Sequence, residues 1–329
     1  MPALFGDTRS DDKTVLLVDV ENGSVASALV RLSSAKNPKL FAEHRTTLPI
    51  PQHISSAHLA RKVLQAVEES ISHTSQFAAR MRQNKDLAST GTIQGAQLFF
   101  GPPWNTLSQD EGRLQWSFEP SVVHSITRSV ESIVGLGQVQ FHPFGRAAAQ
   151  VAGSLTDGPL LVCVVTGEIL ELLLVEDGRV RGRATVPIGV HTVLRTLQVH
   201  AGLSMPEVRS AFRLYQETSD DSLALAGPLR AAAHHFGDQF VSAAEELLQS
   251  HPVSTSIIVA PERMGEWFAR ALAEHDTSAQ LFPHGGVTRD IRAKHLVPLI
   301  DVHATHPDVH LMIGALFIHS LQGFEHGIK

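Results

Sequence analysis

A single cysteine, Cys163, stands in the 329 residues, so no intramolecular disulfide framework supports this chain. That thiol lies inside an apolar run, where a core side chain is expected rather than a nucleophile or a metal ligand. No apolar run approaches the roughly 20 residues that a membrane-spanning helix needs. Residues 1–13 are polar and charged, unlike a secretory leader. A soluble cytoplasmic protein without direct membrane insertion is the expectation. Positive charge is not in surplus: 27 Lys and Arg face 33 Asp and Glu, a net charge of −6, which gives no basic surface for nucleic acid. No repeat of 20–50 residues is visible either.

What the chain does have is hydrophobic mass, 43% of its residues, enough for one large core or two moderate ones. Its centre of organisation is 160–189. Apolar runs at 160–165 and 169–175 flank Thr166, Gly167 and Glu168, and such runs suit strands buried on both faces. Asp177-Gly178 is a two-residue hairpin signal, and 181–188 returns as a third strand. Near the N-terminus, 14–20 runs through Glu21-Asn22-Gly23-Ser24 into a strand at 24–32, and a third strand covers 40–48 after a turn at Lys36-Asn37-Pro38. A strand–turn–strand with Gly in its turn can aim backbone N–H groups at an anion.

Helical spacing is read at 55–82, with Leu59, Val63, Ala66, Val67 and Ile71 on one face, and again at 120–133 and 144–153. A strand at 96–100 ends in the rigid turn Gly101-Pro102-Pro103-Trp104. Residues 109–116 make a charged turn between short extended pieces, and 138–141 reads as a strand. Beyond the central hairpin, 191–200 is helical, and Ser204 with Glu207 forms a capping box. A long amphipathic helix follows at 228–249. The strand at 256–260 leads to a helix at 262–274, a short strand at 279–282 and a closing helix at 307–321. Strands alternating with helices of these lengths argue for α/β with sheets covered on both sides.

Five segments in order, VDVENGSVASALV (18–30), FFGPPWNTLSQ (99–109), LLVCVVTGEILELLLVEDGRV (160–180), VPIGVHTVLRTL (186–197) and HLMIGALFIHSL (310–321), together with the strand-to-helix turn after 256–260, resemble the actin-like ATPase superfamily and, within it, the FtsA/PilM branch. The resemblance implies an actin-like (ribonuclease H-like) two-lobed α/β fold with mixed sheets covered by helices. Its first lobe would span 1–150 and its second 151–329, with the branch's extra subdomain shortened near 102–137. It also implies ATP with Mg as the ligand such a site would take. Asp19, Gly23, Ser24, Thr166, Gly167 and Glu168 are then the binding candidates.

Each nucleotide motif departs from the family pattern at a key position. Glu21 replaces the glycine of the first turn; its carboxylate either projects toward a phosphate, which it would repel, or is a solvated turn acid. Val164 stands where the second aspartate belongs, and loss of a positioned acid–base group costs about 10²–10⁴-fold in rate. Glu171 reads as a surface or edge residue rather than a substitute. Ala260-Pro261-Glu262-Arg263 replaces the consecutive glycines of the adenosine motif, and Gly265 falls inside the helix. No catalytic residue is assigned.

The nineteen histidines suggest no metal site. His234 and His235 point to different faces. His303, His306 and His310 have ligand-like spacing, but Pro307 interrupts it, so solvated or capping roles are expected. Trp104 and Trp116 are read as packing, since no basic residues interleave with them.

The resemblance implies a non-catalytic or weakly catalytic scaffold at the inner face of the membrane, acting in pilus assembly or cell division. It would bind a membrane-anchored partner through a peptide tail. Residues 321–329 are too short and polar for an amphipathic anchor, so the membrane link would pass through that partner. The cleft, or a groove beside 102–116 with Trp104 as wall or core, would take the peptide. The alternative is an active ATPase that switches or polymerises on nucleotide, with self-association; a small-molecule kinase of the superfamily comes third.

Overall fold

Alternate side chains of the first strand, Lys13–Val20 (β1), enter two different cores, and that alternation sets the layering of the whole protein. The computed structural model describes residues 12–49, 56–83, 92–110, 113–134, 138–218, 225–249, 253–260, 264–275, 281–282 and 286–321. Strands Ser24–Ser33 (β2) and Lys36–Thr47 (β3) extend β1 as an antiparallel meander. Helix Ser56–Gln83 (α1) then carries the chain to Ile93–Phe100 (β4), parallel to β1. Strands Asn105–Asp110 (β5) and Arg113–Phe118 (β6) form a separate two-stranded hairpin, followed by helix Pro120–Val134 (α2). Strand Val139–Pro143 (β7) pairs with β4 and runs straight into helix Phe144–Leu155 (α3).

The pattern then repeats. Leu160–Val165 (β8), Leu170–Glu176 (β9) and Arg179–Val186 (β10) form a second meander. Asp177 and Gly178 both take positive φ, 51° and 68°, as the hairpin signal requires. Helices Val190–Ala201 (α4), Met205–Thr218 (α5) and Ala226–Leu248 (α6) precede Thr255–Val259 (β11), helix Met264–Ala273 (α7) and edge strand Val287–Asp290 (β12). One helical turn at Ala293–Leu296 leads to Asp301–Val302 (β13) and the closing helix Val309–Leu321 (α8).

The sheet orders are β13-β3-β2-β1-β4-β7 and β10-β9-β8-β11-β12. Apart from β13, both place the third, second, first, fourth and fifth of the strands in that sheet side by side, β7 being the fifth of the first sheet because β5 and β6 form their own hairpin. The two hairpins at the N-terminus and the centre therefore occupy equivalent places. Leu16, Val18 and Val20 pack beneath α1 and α2, while Val15 and Leu17 face α3 and α8. Likewise Leu160, Val162 and Val164 join that shared core, and Leu161, Cys163 and Val165 face α4, α6 and α7. Helices α3 and α8 thus lie between the sheets. Gly314 of α8 lets this helix press on β1 and β4, since a Cβ there would stand 3.0 Å from Leu17 Cδ1.

Several expectations need correction. The turn between β2 and β3 is Ser34-Ala35, and Lys36-Asn37-Pro38 already belongs to β3. Of the strand expected at 279–282, residues 279–280 lie outside the described residues and Leu281 is helical; the fifth strand is β12. The adenosine-motif residues 261–263 also lie outside the described residues, while Gly265 is helical as expected. The Ser204–Glu207 capping box forms, with the Ser204 amide and hydroxyl both donating to Glu207 Oε2 at 2.8 and 2.6 Å.

Candidate functional site

The first turn of each half is short because each strand pair must close within a few residues, and the fold brings these two turns into contact. A Cβ on Gly23 would lie 2.5 Å from the Gly167 Cα, and one on Gly167 would lie 2.4 Å from the Gly23 Cα. Only glycine at both positions permits this approach. Asn22, 2% exposed, ties the turns together. Its Nδ2 donates to Pro102 O at 2.8 Å and to Thr166 Oγ1 at 3.1 Å, and its Oδ1 accepts from the Glu168 amide at 2.8 Å.

The backbone donors that could cradle an anion are largely engaged inside this knot. Glu21 N–H donates to Ser24 O, and Thr166 N–H to Ile169 O. At the start of α4, Val190 and His191 donate to the carbonyls of Thr166 and Gly167 at 3.0 and 2.7 Å. Gly189 admits those carbonyls, which a Cβ would meet at 2.5 and 2.6 Å. Glu168, the acid beside the turn glycine, is held by a bidentate pair with Arg195 at 2.7 and 2.6 Å and by His191 at 3.2 Å. Burial pushes its carboxyl up, but the Arg195 and His191 contacts outweigh that and hold it at about 2.

Behind the first turn lies a buried ion cluster. Asp19 and Glu21 are both fully buried, so the solvated reading of Glu21 does not hold. Arg45 of β3 donates to Asp19 Oδ2 at 2.9 Å, to Asp308 Oδ2 at 2.5 Å and to Ser24 Oγ at 2.6 Å. His310 Nδ1 contacts Glu21 Oε1 directly and stands 3.5 Å from Asp19 Oδ2. Asp308 accepts from the amides of His310 and Leu311 at 3.0 and 3.1 Å, capping α8. The Glu43 carboxylate in turn accepts from the Asp308 amide at 2.7 Å.

The charges follow from these contacts. Burial pushes the Asp308 carboxyl up, but Arg45 pulls it down to about 2. Burial would lower His310, yet Glu21 and Asp19 raise it to about 9. Burial raises Glu21 more than His310 lowers it, which on its own would argue for a neutral pair. We take His310 as the cation, because two carboxylates face its ring edge and Phe144 stacks on its face at 4.5 Å. His310 is therefore neither solvated nor a cap.

Asp19, Glu21 and His310 offer ligand-type atoms within 4.8 Å of one another. A divalent ion among them would still face the Arg45 guanidinium, already 2.9 Å from the same Asp19 carboxylate. Val164, 0% exposed, puts a hydrocarbon where a second acid would stand. Largely engaged donors, a cation on Asp19 and turns in backbone contact do not fit a magnesium-bound phosphate chain between the hairpins.

A second buried pair joins the halves. Glu171 is fully buried in β9, which is flanked by β8 and β10, so it is no edge residue. Arg183 donates to Glu171 Oε1 at 2.5 Å and to Asn105 Oδ1 at 2.8 Å, and its guanidinium lies 5.2 Å from the Trp116 ring centroid. The other Glu171 oxygen faces the first turn of α3, where Gly145 leaves room for it: a Cβ there would lie 2.7 Å away. A helix N-terminus favours an anion at that place. Trp104 is 5% exposed and packs in the core under α2 with Val122 and Ile126.

The structure thus gathers Gly23, Thr166, Gly167 and Glu168 at one junction, with Asp19 and Ser24 just behind it, and sets Trp104 in the adjoining core. Sequence reasoning missed Asn22, Arg45, Asp308, Arg183 and Arg195. Only Asn22 carried a signal, its place between the turn acid and the turn glycine.

Two sheets of the same strand order, joined through their first hairpins, make this an actin-like fold. Among solved structures it is similar to the PilM protein of a PilM–PilN type IV pilus biogenesis complex, with a TM-score of 0.62 and 10% identity over 95% of this chain and 99% of that one. It is also similar to the ethanolamine utilization protein EutJ from Carboxydothermus hydrogenoformans, with a TM-score of 0.52 and 13% identity over 92% of this chain and 89% of that one. No family model matches the chain, and no curated protein sequence matches it.

Proposed function

We propose that the protein is a PilM-like scaffold that has given up, or nearly given up, nucleotide chemistry and works by binding the peptide tail of a membrane-anchored partner. The observation that carries this reading is the contact between Gly23 and Gly167, with Asn22 Oδ1 taking the Glu168 amide and the first α4 amides spent on the carbonyls of Thr166 and Gly167. Its two lobes are residues up to about 150 and from about 151 onward, with β13 and α8 returning to the first sheet. No described helix is long and apolar enough to cross a membrane, so attachment at the inner face would pass through the partner.

The peptide site in this reading is the β5–β6 hairpin. The hairpin is a two-stranded sheet of its own, so each strand has an outer edge to which an extended peptide can add through main-chain hydrogen bonds. Leu114 is 36% exposed on that hairpin, while Trp104 is 5% exposed in the adjoining core. The test is affinity capture from host membranes with wild type and Leu114→Asp, with melting monitored for both. The reading expects a membrane-anchored protein captured by wild type and lost from the variant at an unchanged midpoint. Capture that ignores the hairpin variant, or no membrane protein at all, would overturn it.

A further inference from the structure

On the outer side of the first half, α1 and β3 hold three ligand-type side chains that the cleft does not use. His44 of β3 and Glu69 and His73 of α1 present atoms that all lie within 4.8 Å of one another. The two imidazoles stack at 4.1 Å between centroids, inclined by 21°. Glu69 and His73 are four apart on the helix, hence on one face.

The surroundings hold these groups in place. Ala42 and Glu43 of β3 stand opposite the single residue Ala28 of β2, a bulge between the pairs Ser27↔His44 and Leu29↔Phe41. Ala42 sits there at φ 56°, a positive φ without glycine. Such a residue persists only where its surroundings fix it, and bulges re-aim the side chains beside them.

The fixing groups are visible. Thr74 Oγ1 donates to Ala42 O at 3.1 Å and Ser70 Oγ to His44 O at 3.1 Å. Ser27 Oγ bridges both hydroxyls at 2.8 and 2.7 Å. All three hydroxyl residues are at most 1% exposed. This clamp fastens α1 to β3 at the residues adjoining Glu69, His73 and His44.

We propose that His44, Glu69 and His73 form a zinc-binding site that straps α1 to β3. Two imidazoles and one carboxylate are a donor set suited to Zn²⁺, with a fourth position left for water or a partner's side chain. Ligands about 2.0–2.2 Å from a tetrahedral ion stand about 3.3–3.6 Å apart. The observed spread therefore closes by side-chain rotation, which the solvent-facing Glu69 and His73 allow. The competing cluster, His234, Asp238 and His275, already satisfies itself: Asp238 accepts from both imidazoles, at 3.0 and 3.2 Å.

The experiment is calorimetric titration of the metal-free full chain with Zn²⁺, repeated with His73→Ala, Glu69→Ala and His234→Ala, and with Co²⁺ as a spectroscopic probe. Loss of an outer-shell partner alone weakens metal sites about 10–100-fold, so loss of a ligand should do at least that. Expected is one saturable equivalent weakened tenfold or more by His73→Ala and by Glu69→Ala, and unchanged by His234→Ala. The Co²⁺ form should show visible d–d bands that vanish with His73→Ala. Zinc should raise the melting midpoint of wild type and not of His73→Ala. No saturable binding, or binding indifferent to His73→Ala, overturns the site.

Discussion

Replacing His310 by alanine probes the buried ion cluster where it is most exposed to failure. His310 has a folded pKa of about 9 against an ordinary 6.5. Because the folded value is the higher one, its stabilisation is complete below about pH 6.5 and is lost as pH rises through about 9. At about 1.4 kcal/mol per pH unit, that interval corresponds to about 3 kcal/mol. Alanine also leaves Asp19 and Glu21, both fully buried, to a single guanidinium. Breaking a buried pair costs about 3–5 kcal/mol, a large part of the roughly 5–15 kcal/mol available to a domain. Glu21→Gln together with His310→Gln removes one charge of each sign and should recover most of the loss. Urea unfolding at pH 6.5 and pH 9.5 reads all of this. Wild type should lose about 3 kcal/mol more than His310→Ala between the two pH values, since the Glu43 carboxyl, raised by burial to about 7, titrates in both, and His310→Ala should be low at both. A variant within about 1 kcal/mol of wild type at pH 6.5, or one keeping the wild-type pH slope, would refute the reasoning.

The hairpins were legible because their signals are local. Runs of apolar residues interrupted by Glu21-Asn22-Gly23 and Thr166-Gly167-Glu168 state both the strand and the turn within ten residues. The chemistry between them was not legible, because it depends on partners far away in the chain. Arg45 and Asp308 are separated by 263 positions, and no periodicity links them. Glu171 shows the same limit on a smaller scale: alone it resembles a surface acid. The apolar run around it on both faces marks β9 as covered, and Arg183 on β10, part-buried beside it, supplies the charge that lets it stay inside. Strand β12 escaped for the opposite reason. Its four residues Val-Thr-Arg-Asp are half exposed on an edge, so neither alternation nor a buried run had room to appear.

Two further outcomes concern the junction itself. Gly167→Ala should destabilise by about 1–3 kcal/mol or more, read as a lowered melting midpoint, because its Cβ would meet backbone at 2.4 Å on the opposing turn and nothing flexible can yield. Gly227→Ala is the comparison: apart from its chain neighbours and its own helix backbone no atom lies within 4 Å of its Cβ position in α6, and its only crowding is from the following Pro228, so its midpoint should fall less than that of Gly167→Ala. The last outcome is enzymatic. A phosphate chain would have to part Gly23 from Gly167, displace the Asn22 bridge and compete with Arg45 for Asp19, and at the end would meet Val164 instead of a base. Each requirement opposes the next step, so steady-state ATP hydrolysis should lie far below the pace of ordinary enzymes, about 1 s⁻¹ or more. Asp19→Asn should change that residual rate by less than its scatter while lowering the melting midpoint, since the side chain's contacts in this structure are with Arg45 and His310. Turnover near 1 s⁻¹ that disappears with Asp19→Asn would mean that the junction opens in solution and that the closed contact is only one of its states.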